Sequence, residues 1–368
     1  MFVLALVACG DDTPVPVPTP PDPTPSDSTS VPDTTRRDTL PDVKPEDFTR
    51  GADISWYSQM EDEGHKFYSW NHREPMDCPT VMQDMGLNAI ALRVLVGPQD
   101  GYCALPDVLR KARKVNQAGM DMLLSLHYSD TIASSALQRT PREWENHDID
   151  RLVQDVQEHT AATLQALLAE GIQPRWIQIG NQLTQGLLWP EGDITRHAVQ
   201  YARLVSAACS TARAECPQAQ IVVAAGYPLD QRALCAALDG VQSSLYDQIG
   251  LTLYPTLSVG SVFQPMGTAA TSEVRDENDA IACTMHTIDM LYNRYRKECM
   301  IVECGVPVSQ ETAGSLHMRQ LVNEARHNST CRGIIYHEPE AYEGWKGYTQ
   351  GAFLGNGRPT QIIDALTQ

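Results

Sequence analysis

Past Arg50 the chain alternates between short apolar runs and longer stretches with helical periodicity. Eight runs have strand length and β-branched character: residues 52–56, 89–95, 122–128, 176–180, 221–225, 248–254, 300–303 and 333–337. Several are apolar almost throughout (WIQIG, IVVAAG, MIVECG), as parallel strands buried on both faces must be. Between them the apolar positions recur every three or four residues. Over 149–168 this places Leu152, Val156, Thr160, Leu164 and Leu167 on one face, and Gly171 follows as a stop. Over 279–297 it aligns Ile281, Met285, Ile288, Leu291 and Tyr295.

Eight strands each followed by a helix predict an α/β fold of the (β/α)₈-barrel type. A doubly wound sheet is the competing α/β arrangement, but no Gly-rich phosphate loop follows the first strand. In a barrel, the polar residues at strand C-termini line the active site. Here those positions carry Asp53, Ser55 and Trp56, then Arg93, then His127 with Asp130, then Asn181 and Gln182, then Tyr254, Glu303, and His337 with Glu338. Any one of them could be a satisfied core residue; packing alone does not readily collect so many.

The N-terminal part changes the picture. Residues 1–9 (MFVLALVAC) read as the end of a signal segment, with Leu6-Val7-Ala8-Cys9 resembling a lipobox whose cysteine, Cys9, is lipidated. Residues 10–48 are rich in Pro, Thr, Ser and Asp and are expected to form an extended spacer. Residues 49–368 are expected to form one catalytic domain. No run reaches the roughly 20 apolar residues of a membrane span, so membrane attachment is expected only through lipid at Cys9, at the cell surface or outer membrane. The formal net charge of −18 argues against a nucleic-acid partner, which needs a basic face, and leaves a neutral polymer acceptable. Ten cysteines contain no C-x-x-C pair. Local spacing makes Cys78 with Cys103 and Cys209 with Cys216 plausible disulfides in an oxidising compartment.

Hydrolysis of a glycosidic bond needs two carboxyl groups beside the scissile bond. Glu303 is a clear candidate, because a charge in the apolar strand MIVECG is costly unless it has a purpose. Arg93 and Tyr254 are expected to hold it ionised. Its partner is expected at the end of strand four or eight. Cys304 as a nucleophile is disfavoured, since the adjacent Glu303 suppresses a thiolate.

GADISWYSQMEDEG (51–64), LHYSDT (126–131), IQIGNQ (177–182), GLLWP (186–190) and VECG (302–305) resemble the endo-β-1,4-galactanases of glycoside hydrolase family 53. The likeness runs from about residue 51 to residue 366. It implies a retaining mechanism with an acid/base at the end of strand four and a nucleophile, Glu303, at the end of strand seven. It implies sugar or nucleophile contacts from Asp53, Arg93, His127, Asn181 and Tyr254, and a stacking role for Trp189. Trp345, after strand eight, is expected as a second platform, with His337 nearby.

The chain departs from the family pattern where the Gly-Asn-Glu acid/base belongs: it has Gly180-Asn181-Gln182. A carboxamide cannot donate a catalytic proton, so a loss of about 10²–10⁴-fold is expected. Two origins stay open: a Glu→Gln change introduced to trap intact substrate, or a descendant that binds galactan without cutting it. Leu251 and His337 also stand where the family has other side chains, so the distal subsites are expected to differ. The segment 304–315 has only Glu311 as a carboxylate, so no calcium or other metal is expected, and no cofactor. The expected ligand is β-1,4-galactan or its oligosaccharides, bound by a monomer. A mannanase or xylanase barrel is the enzymatic rival, and the GADISW and HYSDT segments speak against it.

Overall fold

The computed structural model describes residues 48–368. Cys9 and the spacer before residue 48 therefore lie outside the described residues. Eight parallel strands close into a barrel: β1 (Thr49–Asp53), β2 (Ala89–Val94), β3 (Asp121–Leu126), β4 (Trp176–Ile179), β5 (Gln220–Gly226), β6 (Gln248–Leu253), β9 (Glu298–Cys304) and β10 (Cys331–His337). A two-stranded antiparallel ribbon, β7 (Val262–Phe263) with β8 (Ser272–Glu273), sits in the connection after β6. The barrel closes where Thr49–Asp53 pairs in register with residues 333–337. All eight expected strands are present, and the helices Ile149–Ala169 and Glu277–Tyr295 fall where the periodicity placed them.

The strands read as apolar runs because both faces are covered. One face turns into the barrel, where Ala89, Ala91, Leu123, Trp176, Val222, Ala224, Met300, Val302 and Ile335 fill the interior. Their neighbours Ile90, Leu92, Leu124, Ile177, Val223 and Ile301 turn outward and pack beneath the helices. The interior is thus a packed core rather than a pore. The polar side chains of the candidate site gather at its C-terminal end.

Strand ends differ from the expectation most at β1, which stops at Asp53 instead of running to Trp56. Side-chain hydrogen bonds turn the chain there: Ser55 N and Oγ both donate to Asp53 Oδ1, and Ser55 Oγ accepts from Arg93 N at 2.7 Å. The turn is fixed from outside by Lys111, on the helix Leu105–Gln117. Its ammonium is fully buried and donates to Ser55 O at 2.8 Å while pairing with Asp107 at 2.8 Å.

Neither expected disulfide forms: Cys78, Cys103, Cys209 and Cys216 are free thiols. Cys209 lies inside the helix Ile194–Glu215 and Cys216 caps its end. Seven helical steps of 1.5 Å separate them by about 10 Å, beyond the ~7 Å Cα limit for a bridge. Cys103 Sγ instead donates to Ser55 O and accepts from Lys111 Nζ. Among the described residues no helix is long and apolar enough to cross a membrane.

Removing Lys111 would leave Asp107 buried with less compensation and free the turn after β1. Lys111→Met is therefore expected to cost about 3 kcal/mol, read as a lowered urea midpoint. An unchanged midpoint would mean that the buried pair contributes nothing net.

Candidate active site

Glu303 lies near the end of β9, close to fully buried, and three side chains donate to its carboxylate. Tyr254, immediately after β6, donates its hydroxyl to Oε1 at 2.8 Å. Asn181 Nδ2 donates to Oε2 at 3.0 Å, and Gln182 Nε2 lies 3.2 Å from both oxygens. Burial, and next the charge of Glu303, push the Tyr254 phenol well above its ordinary value, so it stays a proton donor. Tyr254 meets Glu303 as expected.

The segment after β4 is shaped to deliver the two amides. Gly180 has φ +66°, and a Cβ there would lie 2.6 Å from Leu183 Cδ2, so this position needs glycine. Gln182 is itself left-handed, with φ 51°. Its Oε1 accepts from Ser135 N at 3.1 Å, which turns the amide nitrogen toward Glu303. Asn181 Nδ2 also donates to Ala133 O at 3.0 Å. The loop after β3 thus sets both amides.

Arg93 does not bind Glu303, contrary to expectation. It is fully buried, with Nη2 donating to Glu338 Oε1 at 2.6 Å and Nη1 3.6 Å from Asp53 Oδ2. Burial opposes its charge, but Glu338 and then Asp53 raise its pKa above the ordinary arginine value. The nearer carboxylates take the cation, and Arg93 reaches Glu303 only through two intermediaries. Its Nη1 is 3.4 Å from His337 Nε2. A guanidinium can only donate, so that nitrogen accepts and the ring proton sits on Nδ1. Nδ1 in turn faces Tyr254 Oη at 3.1 Å and Tyr348 Oη at 3.2 Å. Donation therefore runs from Arg93 through His337 and Tyr254 to Glu303.

His127 sits in the same mouth, and its Nδ1 accepts from Ala133 N at 3.1 Å. Burial first, then the charge of Arg93, hold its pKa well below the usual histidine range, so it is neutral. Asp53, His337 and Glu338 place their ligand atoms within 4.8 Å of one another, the spacing of a metal set. The Arg93 guanidinium bonds into that cluster and supplies the positive charge. Glu311, the one carboxylate of segment 304–315, accepts from Gln361 N at 2.8 Å, which ties the C-terminal helix in place.

Trp345 is not an open platform. It is buried in the hydrophobic core with its ring 5.8 Å from Tyr342. Trp189 remains partly exposed, its indole held by donation to Gln185 O at 2.9 Å. The aromatic that does face the mouth is Trp56, whose ring lies 6.1 Å from His337 and 5.7 Å from the Arg93 guanidinium. The pattern took Trp56 as the last residue of a strand, whereas it lies beyond the strand's end. Glu338 was visible as a strand-end carboxylate, but its pairing with Arg93 spans 245 positions and left no local signal. Leu251 is fully buried in the core outside the barrel and takes no part in the site.

Glu340 is fully buried beside Glu338, and neither of its oxygens meets a donor among the described residues. Burial, then the Glu338 charge, raise its pKa well above 4.5, so the folded carboxyl keeps its proton. The unfolded carboxyl ionises above that value, so each further rise in pH favours the unfolded chain. Glu340→Gln removes this dependence. The expected result is a higher Tm near about pH 7 and no gain near about pH 4, followed by thermal unfolding at the two pH values. An equal gain at both would contradict it.

The model of glycosyl hydrolase family 53 matches residues 49–357. A probable arabinogalactan endo-β-1,4-galactanase A of Neosartorya fischeri is 30% identical over 269 residues, spanning 71% of this chain and 70% of the relative. The arabinogalactan endo-β-1,4-galactanase A of Aspergillus niger is 28% identical over 268 residues, 71% of each chain. Among solved structures, a fungal β-1,4-galactanase superposes with TM-score 0.75 at 23% identity, over 87% of this chain and 98% of its own. The family 53 catalytic domain of Ignisphaera aggregans gives 0.73 at 23% identity, over 88% and 96%. With a closed barrel and a buried, triply hydrogen-bonded carboxylate at its mouth, the chain belongs to glycosyl hydrolase family 53.

Proposed function

We propose that this chain is built for retaining endo-hydrolysis of β-1,4-linked galactan, with Glu303 as nucleophile and Gln182 in the acid/base position. The observation that carries it is the environment of Glu303: Tyr254, Asn181 and Gln182 all aim donors at one carboxylate. The direct contact of Gln182 with Glu303 at 3.2 Å favours retention. An inverting pair stands ~6.5–9.5 Å apart to house a water between its carboxyls. The galactanase names of the relatives supply the substrate class.

In the first step a Glu303 oxygen attacks the anomeric carbon and the bond to the leaving oxygen breaks. That oxygen needs a proton, and the Gln182 amide has none to give at useful acidity. Cleavage of galactan, whose leaving group is another sugar, is therefore expected to fall about 10²–10⁴-fold below that of a glutamate form. Asn181, Asp53, His127, His337 and Trp189 are assigned to binding sugar or orienting the nucleophile. We further assign residues 49–368 to one catalytic domain acting as a monomer. Residues 10–48 are its spacer and Cys9 its lipid anchor at the cell surface. Loss of fatty-acid labelling in Cys9→Ser cells would support the anchor, and retained labelling would remove it.

The test is reducing-sugar release from linear β-1,4-galactan by this chain and by Gln182→Glu. Activity confined to the variant supports both the substrate and the role of position 182. In that active background Tyr254→Phe is expected to lower kcat by about 10²-fold with little change in KM, because it removes a donor from the nucleophile and not from substrate. A second reading, a galactan-binding protein that does not cut, is favoured by one observation. The Gln182 amide occupies both Glu303 oxygens and leaves the nucleophile hydrogen-bonded rather than free. Binding without cleavage by both forms would establish that reading.

A further inference from the structure

Cleavage of a sugar leaving group needs a proton that the Gln182 amide does not supply, and a second acid stands beside it. Tyr227 follows directly on β5, which lies between β4 and β6 in the barrel. Gly226 before it has φ +125°, and a Cβ there would lie 3.3 Å from the Gln182 Cα. The backbone leading into Tyr227 is thus set against the residue in the acid/base position. Three neighbours locate its hydroxyl: it shares a hydrogen bond with the Gln182 amide, the charge of Glu303 acts on it, and it acts in turn on Tyr254. We propose that Tyr227 is the general acid/base of this chain, protonating the leaving sugar oxygen in the first step and activating water in the second. The proposal rests on the galactan reading above.

The direction of the hydrogen bonds supports this role. Gln182 Oε1 accepts from Ser135 N, and Gln182 Nε2 donates to Glu303. Burial, and next the charge of Glu303, push the Tyr227 phenol up to about 12, whereas its hydrogen bond with Gln182 lowers it. A bond that favours the phenolate is one the amide donates. Nε2 carries two protons, so it serves Glu303 and Tyr227 together. The proton of Tyr227 is then left for another acceptor. Tyr254 and Tyr348, by contrast, donate theirs to Glu303 Oε1 at 2.8 Å and to His337 O at 2.7 Å. Access points the same way. Gln182, Tyr254 and Glu303 are buried, while Tyr227 is partly exposed, as a group that meets a substrate oxygen must be.

The chemistry closes without another reagent. In the first step Glu303 bonds to the anomeric carbon, the bond to the leaving oxygen breaks, and that oxygen takes the Tyr227 proton. The donated bond from Gln182 Nε2 stabilises the phenolate that remains. In the second step the phenolate takes a proton from water. The water oxygen bonds to the anomeric carbon, the ester to Glu303 breaks, and both side chains return to their starting states. Tyrosine is among the side chains that transfer protons in this way. As a weaker acid than a carboxyl, it gives slow turnover where a carboxamide alone gives none.

Two substrates separate proton transfer from a merely structural role. One is linear β-1,4-galactan, whose leaving oxygen needs a proton. The other is a dinitrophenyl β-galactobioside, whose leaving group departs without one and is read as a burst of dinitrophenolate. This chain is expected to release reducing sugar from galactan slowly, and Tyr227→Phe to lower that rate by at least about 10²-fold. The burst is expected to persist in the variant, which also shows that it is folded with Glu303 in place. In the Gln182→Glu background, where a carboxyl supplies the proton, Tyr227→Phe is expected to cost far less. An equal loss on both substrates, or no loss on galactan, would overturn the role of Tyr227. Galactan cleavage by Gln182→Glu with none by this chain would overturn it too, while leaving the galactan reading intact. No cleavage of galactan by either form would remove that reading and this proposal together.

Discussion

The mouth of this barrel is organised around one buried positive charge. Arg93 is fully buried, and an uncompensated guanidinium there would be too costly to fold around. Glu338 and Asp53 compensate it from the two strands that flank the closing seam, so the seam and the site share one set of interactions. Glu338 also accepts from Trp56 N, and Ser55 joins Asp53 to the Arg93 backbone. The ion pair therefore fixes the turn after β1, the end of β10 and the position of Trp56 at once.

From that fixed cation the hydrogen-bond directions follow without further choice. Arg93 can only donate, which assigns the His337 tautomer. The Nδ1 proton then points at the two tyrosine hydroxyls, and Tyr254 is left to donate to Glu303. The Glu303 carboxylate is surrounded in this way without direct contact to arginine. Each of its donors is a neutral group that an incoming hydroxyl can replace. A glutamate at position 182 would repel Glu303 unless one of the two held a proton, whereas the amide bonds to it. On the function proposed above, an amide instead of a carboxyl at position 182 puts a fixed hydrogen bond where two carboxyls would share a proton.

The support for this arrangement lies outside the mouth. Lys111 reaches from its helix to hold the carbonyl of Ser55, and Ala133, in the loop after β3, meets both His127 and Asn181. Asp130 joins the same loop to the one after β2. Loops that carry function are usually the mobile parts of a barrel, but here backbone donors and carbonyls cross-link neighbouring loops. Such links favour a mouth that is shaped before ligand arrives over one that forms around it.

The sequence by itself determined the barrel, because both of its signals are local. Apolar runs of strand length and helical periodicity each report burial over a few residues, and they located all eight strands to within a few positions. The same periodicity, with the rule that strand C-termini face the site, brought forward Glu303, Asn181, Gln182, Tyr254, Arg93 and His337, and the family motifs assigned their roles. Which of these touch was decided only by the tertiary structure. Arg93 and Glu338 lie 245 positions apart, and nothing local distinguishes that pairing from the expected one with Glu303. In sequence Trp56 ends an expected strand and Trp345 follows one, and neither pattern tells which of the two is exposed. Trp345 is covered by Tyr342 and the core, and Trp56 is held at the mouth by contacts from β2, β10 and the loop that follows. The local spacing of cysteines failed for the same reason, since helix geometry and not chain distance sets how far apart two side chains stand.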